Sequence, residues 1–187
     1  MLEQLLKDVY TRRAGAVIGC ALVMAGLWRL LGRARARARV ADMSGKVAII
    51  TGASSGIGRA LAICLAARGV KLTLAARGKE ALESVAKEVG GAHVVSTDVT
   101  DAKECEQLVS KAVAHHGRVD IFVSCAGIGH HGLATDDDIA MQRKLFEVNH
   151  FGTVHCVKAV LPHLNKSGQK PGEILVVSII AFPAIER

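Results

Sequence analysis

The chain has 187 residues, half of them apolar and only 3% aromatic, which is enough to bury one sizeable core built from Leu, Val, Ala and Ile. Lys and Arg outnumber Asp and Glu by 24 to 17, but Arg29, Arg33, Arg35, Arg37 and Arg39 place five of those charges beside one apolar run. That is a solvated or membrane-facing flank and argues against a nucleic-acid partner. The five cysteines, Cys20, Cys64, Cys105, Cys125 and Cys156, are widely spaced and contain no CxxC pair. A disulfide framework and a zinc site are therefore not indicated, and a reducing compartment is the simpler setting.

Residues 1–13 form a short flank. From Ala14 to Trp28 the stretch AGAVIGCALVMAGLW carries no charge, and with Arg29 snorkelling it continues through Leu30 and Leu31. Residues 14–32 thus approach the length a helix needs to cross a bilayer and are expected to be an uncleaved membrane anchor. A cleaved signal peptide competes for the same stretch, but the RARARAR run would fill its cleavage region with Arg. Glu3 and Asp8 count against a mitochondrial presequence. The Arg excess downstream predicts a cytosolic globular part on a membrane such as the endoplasmic reticulum. The sequon Asn165-Lys166-Ser167 is an independent test, because it would be glycosylated in a lumen.

After an Arg-rich linker over 33–45, residues 46–187 alternate apolar runs with helical patterns and show no internal repeat. Strands are expected over 46–50 (KVAII), 70–75 (VKLTLA), 92–96 (AHVVS), 118–124 (RVDIFVS) and 172–178 (GEILVVS). Helices are expected over 59–68, 79–89 and 102–116, and in one long stretch from Asp136 to Leu164. Thr100-Asp101 and Thr135-Asp136 mark two of the helix starts. Strands apolar on both faces and joined by helices predict a doubly wound parallel α/β sheet with right-handed crossovers.

At the first strand-to-helix turn stands Thr51-Gly52-Ala53-Ser54-Ser55-Gly56-Ile57-Gly58. Glycines there let the backbone come close to a pyrophosphate, and the opening helix offers unpaired N–H groups to its charge. The position inside a βαβ unit is the context that gives such a turn meaning. No Gly-Lys-Ser/Thr ends the motif, which excludes a nucleoside triphosphate loop.

This turn resembles the TGxxxGxG fingerprint of the classical short-chain dehydrogenase/reductase family. Asp98-Val99 after the third strand is similar to the adenine-contacting Asp of that family and its neighbour. Cys125-Ala126-Gly127 resembles its NNAG segment, with Ser124 in place of the first Asn. Asn149, in EVNHFGT, matches the Asn of its central helix, and Ser178 matches its catalytic Ser. The resemblance spans 46–187 and implies a Rossmann-like domain binding a nicotinamide dinucleotide through Thr51, Gly52, Ser54, Ser55, Gly56, Ile57, Gly58, Asp98, Val99, Ala126 and Gly127.

The end of the second strand, Ala75-Ala76-Arg77-Gly78-Lys79, has no carboxylate to accept bonds from a ribose 2′-OH. Arg77 offers a planar fork to a 2′-phosphate, so NADP(H) is expected over NAD(H), with Arg59 assisting. A solvated Arg77 at a helix start is the bland alternative.

Family catalysis also uses a Tyr acidified by a Lys in a YxxxK pair about thirteen residues after the Ser. The only tyrosine in the sequence is Tyr10, and Arg187 follows Ser178 by nine residues. The resemblance therefore implies a fold incomplete at its C-terminal end and a chain that, alone, is inactive or very weak. A membrane-anchored oxidoreductase of lipophilic alcohols and ketones is the first reading, and a non-catalytic nucleotide-binding or regulatory protein the second. Oligomeric state stays open. Paired histidines at 115–116 and 130–131 invite a metal, but no carboxylate or Cys stands at ligand spacing, and adjacent helical histidines face apart.

Overall fold

Strand β1 (Val47–Thr51) occupies the centre of the sheet and is buried along its whole length. The computed structural model describes residues 43–130, 139–164 and 173–176. The chain divides into two compact units, Met1–Met43 and Ser44–Arg187, and every described residue except Met43 belongs to the second. The expected anchor at 14–32, the helix start at Asp136, the sequon and Ser178 lie outside the described residues. No helix among the described residues is long and apolar enough to cross a membrane.

Five strands form one parallel sheet in the order β3-β2-β1-β4-β5, with β2 (Lys71–Ala76), β3 (His93–Ser96), β4 (Ile121–Ser124) and β5 (Glu173–Val176). β3, β4 and β5 sit within their expected apolar runs, while β1 and β2 each start one residue later and end one residue later than expected, at Thr51 and Ala76. β1, β2 and β4 are buried over most or all of their length, and parallel strands covered on both faces cannot alternate polar and apolar residues, which is why these segments read as continuous apolar stretches. Edge strand β5, expected to be covered likewise, is instead exposed from Glu173 to Val176. In-register Ile49 and Phe122, with Ala75 and Val95, pack one face of the sheet on Cys105, Leu108, Val109, Cys156 and Val160. Ala48, Ile50, Leu72 and Leu74 point the other way by alternation and are equally buried.

The helices are α1 (Gly56–Ala66), α2 (Lys79–Glu88), α3 (Ala102–His116), α4 (Ile139–Phe146) and α5 (Gly152–Val160). Helix α1 starts three residues before the expected 59, because the glycine-rich turn itself supplies the first helical residues. Helix α3 matches its expected span. Asp101 caps it by accepting bonds from the N–H groups of Lys103 (2.7 Å) and Glu104 (3.4 Å).

The single long helix expected to Leu164 is corrected. Glu147–Phe151 forms one π-helical turn between α4 and α5. Such a turn keeps apolar side chains recurring along the chain, so periodicity alone does not reveal it.

At the sheet edge His93 of β3 stacks on His115 of α3, with ring centroids 4.4 Å apart and planes 8° from parallel. His116 meets both rings edge-on. Among the described residues no set of three or more potential ligands is arranged to hold a metal. Burial, then the neighbouring His115 with Lys111, holds His93 below the ordinary imidazole range. Burial and His115 do the same to His116 against an opposing bond with the Leu72 backbone, with smaller contributions from His93 and Lys71. These folded-state pKa values lie below that of an unfolded histidine, so the unfolded chain takes up more protons as pH falls. The stability contributed is present above about pH 6.5 and is lost as pH drops through the folded values. The urea midpoint should therefore fall between about pH 7 and pH 5, and H93Q/H116Q should flatten that dependence. An unchanged slope in the double variant would assign the effect elsewhere.

Candidate functional site

The last residue of β1 ties the first turn to the segment after β4. Thr51 is fully buried, and its Oγ1 accepts bonds from the N–H groups of Cys125 (3.2 Å) and Ala126 (3.3 Å) while donating to the Val123 carbonyl (3.5 Å). Gly52 follows at φ +65°, and a Cβ there would lie 2.5 Å from the Cys125 carbonyl oxygen. A Cβ on Gly58 would lie 2.3 Å from the Gly52 carbonyl oxygen. These two glycines exist for backbone-to-backbone packing. Gly56, at φ +53°, instead has nothing within 4 Å of a Cβ position and leaves the mouth of the turn open.

Above the turn a cleft of about 330 Å³ runs from Gly52, Ser54 and Ser55 past Ala76, Arg77 and Gly78 to Thr97, Val99, Ala126, Gly127, Ile128 and Val148. The Ser55 side chain makes no capping bond to α1. Ser54 and Ser55, which line one end of the cleft, immediately precede the N-terminus of α1, and unpaired N–H groups at a helix start suit an anion. Exposed Arg77 stands where β2 ends, with its carbonyl accepting a bond from Ser96 Oγ (2.9 Å).

Asp98 frames the wall and does not line it. Its Oδ1 accepts bonds from Thr100 N–H (3.0 Å) and Oγ1 (2.8 Å), and its own N–H donates to Glu104 Oε2 (2.7 Å). Those Thr100 bonds, helped by the charge of Arg77, hold its carboxyl below the ordinary range against partial burial. Its neighbours Thr97 and Val99 supply the cleft surface.

Asn149 lies on the π turn and is buried. Its Oδ1 accepts from Ile128 N–H (2.8 Å) and its Nδ2 donates to the Ile128 carbonyl (2.9 Å), so one side chain replaces a strand partner for the segment after β4. Ser124, the departure from the NNAG pattern, has its own bond with Thr153 Oγ1 at 2.9 Å, and Thr153 Oγ1 donates to the Asn149 carbonyl.

Of the sequence-predicted positions, Gly52, Ser54, Ser55, Arg77, Val99, Ala126 and Gly127 meet at the cleft. Thr51, Gly58, Asp98 and Asn149 hold its frame, while Gly56 and half-exposed Ile57 begin α1. Arg59 is engaged elsewhere, in a two-bond ion pair with Glu88 at 3.0 and 2.7 Å. Sequence reasoning missed Gly152, where a Cβ would meet Val99 Cγ2 at 2.6 Å, and His155, whose Nδ1 lies 3.1 Å from the Val99 carbonyl oxygen. A glycine inside an amphipathic helix costs about 1 kcal/mol relative to alanine, and that cost was the signal for Gly152.

The short chain dehydrogenase family profile matches residues 46–182. An uncharacterised oxidoreductase of Staphylococcus haemolyticus is 40% identical over 148 residues, covering 78% of this chain and 63% of that protein. Mouse dehydrogenase/reductase SDR family member 7B is 34% identical over 190 residues, covering 96% of this chain and 57% of its own length. The 11-beta-hydroxysteroid dehydrogenase 1A of Arabidopsis thaliana is 38% identical over 135 residues, covering 69% and 39%. Among solved structures, the alcohol dehydrogenase of Thermococcus sibiricus in complex with 5-hydroxy-NADP superposes with a TM-score of 0.65 at 36% identity, covering 70% of this chain and 57% of that one. The chain spans less than two thirds of the length of each of these proteins. A turn in which only glycine fits twice, on a parallel sheet ordered 3-2-1-4-5, agrees with all of these likenesses: the chain belongs to the short-chain dehydrogenase/reductase family of NAD(P)-binding oxidoreductases.

Proposed function

We propose that the chain forms the nucleotide-binding part of an NADP(H)-dependent oxidoreductase that interconverts hydroxyl and carbonyl groups of a lipophilic substrate. The observation that carries the cofactor preference is Arg77 on the cleft rim at the end of β2, where Ala75 and Ala76 precede it and no carboxylate stands. A planar guanidinium there suits a 2′-phosphate, and the absent acid removes both the ribose bond and the repulsion that favour NAD(H). The bound nicotinamide supplies the hydride. Around it, Gly52 and Gly58 permit the close turn at the pyrophosphate end, and Asn149 fixes the wall through Ile128. Ser178 is assigned to orient the substrate oxygen.

Residues 14–32 are assigned to a membrane anchor, with the globular part on the cytosolic face of the endoplasmic reticulum. That assignment suits a substrate partitioned into lipid, and one relative is named for a hydroxysteroid. The second reading is a nucleotide-binding protein without turnover. Loss of a general acid costs about 10²–10⁴ in rate, so NADPH consumption against a hydrophobic ketone at ordinary enzyme rates would eliminate that reading.

Fluorescence titration tests the cofactor assignment. NADPH should bind more tightly than NADH, and R77E should weaken NADPH about 10- to 100-fold while leaving NADH unharmed. Equal affinities in the wild type, or an R77E variant that loses both nucleotides alike, would overturn it.

A further inference from the structure

The two most deeply buried cysteines of the described chain face each other across two helices. Cys105 of α3 and Cys156 of α5 are 0% and 1% exposed, and their Sγ atoms are 3.4 Å apart although 51 residues separate them. Their bonds run in one direction: Cys156 Sγ–H donates to Cys105 Sγ, and Cys105 Sγ–H donates to the Val99 carbonyl at 3.5 Å. Val99 is part of the cleft wall, and its side chain also abuts Gly152, one helical turn before Cys156. The dithiol is thus joined directly to the wall of the nucleotide cleft. Its chemistry is unused by any step assigned to that cleft.

We propose that Cys105 and Cys156 are a redox modification site, closing to a reversible intramolecular disulfide under a peroxide oxidant. Sulfur atoms in contact need only a small rotation and approach to reach the roughly 2 Å of an S–S bond. A reducing setting keeps the pair open, and disulfides in such settings are characteristically transient. Cys105 reacts first. The Cys156 S–H directed at it holds its thiol below the ordinary range, although burial and the carboxylates of Asp101, Asp98 and Glu104 oppose this. Cys156 is driven upward by its bond to Cys105 and by burial, and it keeps its proton.

The Cys105 thiolate attacks one peroxide oxygen and breaks the O–O bond, giving a sulfenic acid and one water once a proton is taken up. Cys156 sulfur then attacks the sulfenic sulfur, its S–H proton leaves with the hydroxyl as a second water, and the S–S bond forms. In all, two thiols and one hydrogen peroxide give one disulfide and two waters. Because both sulfurs are buried, peroxide enters through local opening of α5 against α3, and the rate reports that opening. Closure removes the thiol proton held by Val99 and fastens the two helices beside it.

The test uses the full chain treated with excess hydrogen peroxide, quenched by alkylation and digested without reductant. A Cys105–Cys156 peptide pair, two hydrogens lighter than the sum of its thiol peptides and separated by dithiothreitol, is the expected product. The melting temperature should rise by roughly 5 °C on oxidation and return on reduction. Exposed Cys64 serves as the internal comparison for accessibility. If Cys64 is oxidised while Cys105 and Cys156 remain alkylatable after unfolding, or if the pair joins only in denaturant, the proposal fails. C105S, which should form no cross-link and show no oxidation-dependent rise in melting temperature, separates this site from general oxidative effects. Should C105S not fold, the wild-type peptide map alone decides the matter.

Discussion

Gly52→Ala should destabilise the domain by about 3 kcal/mol and abolish nucleotide binding, whereas Gly56→Ala, in the same motif, should cost about 1 kcal/mol. Both glycines have positive φ, 65° and 53°, so alanine carries a similar left-handed penalty at each. Only at Gly52 does the new Cβ also meet backbone, at 2.5 Å from the Cys125 carbonyl oxygen and 2.7 Å from the Ala126 nitrogen. Backbone cannot swing aside as a side chain can. The junction between β1 and the segment after β4 would have to open, and with it the paired bonds on Thr51 Oγ1. Urea denaturation read alongside NADPH titration measures both effects. Equal losses for the two variants would mean that the turn yields freely and that close packing is not what Gly52 provides.

Asn149→Ala should cost about 2 to 4 kcal/mol, because it leaves both the N–H and the carbonyl of partly buried Ile128 without the partner they now share. Asn149→Asp separates the two halves of that contact. An ionised carboxylate still accepts from the Ile128 N–H but faces the Ile128 carbonyl with no proton to offer. Protonation restores a donor, so the folded state raises the pKa of the introduced acid. A raised folded pKa means stability present at low pH and lost as pH rises through it. Asn149→Asp should therefore gain stability on acidification relative to Asn149→Ala. Parallel pH profiles for the two variants would rule out the pairing with Ile128.

Much of this arrangement is readable from the chain because it depends on local chemistry. Buried parallel strands must be apolar on both faces, so KVAII and its counterparts announce themselves, and Asp101 before Ala102 is a helix cap by side-chain reach alone. The glycine turn is legible as a local pattern, its three glycines falling within seven residues, although the close approach that requires Gly52 comes from distant Cys125 and Ala126. What escaped reading depends on partners distant in sequence. Ser124 meets Thr153 across 29 residues and Cys105 meets Cys156 across 51, and neither residue type requires such a partner. His93 was not associated with His115 and His116 for the same reason. The π turn stayed hidden because a single widened turn leaves the buried series Leu145, Asn149, Gly152, Cys156 and Val160 at ordinary helical spacing.

The central position of β1 has a consequence for synthesis. Its partner on one side begins at Lys71, paired with Val47, but its partner on the other begins only at Ile121, paired with Ala48. A ribosome adding about 5 to 20 residues per second needs several seconds to make the intervening 50 residues, counted from 71 to 121. Throughout that interval Ala48, Ile49 and Ile50 form an apolar edge with one side unpaired, available to any other extended chain. The strand that ends as the most protected in the sheet is thus the most vulnerable during translation, and the nascent chain needs shielding until β4 has emerged.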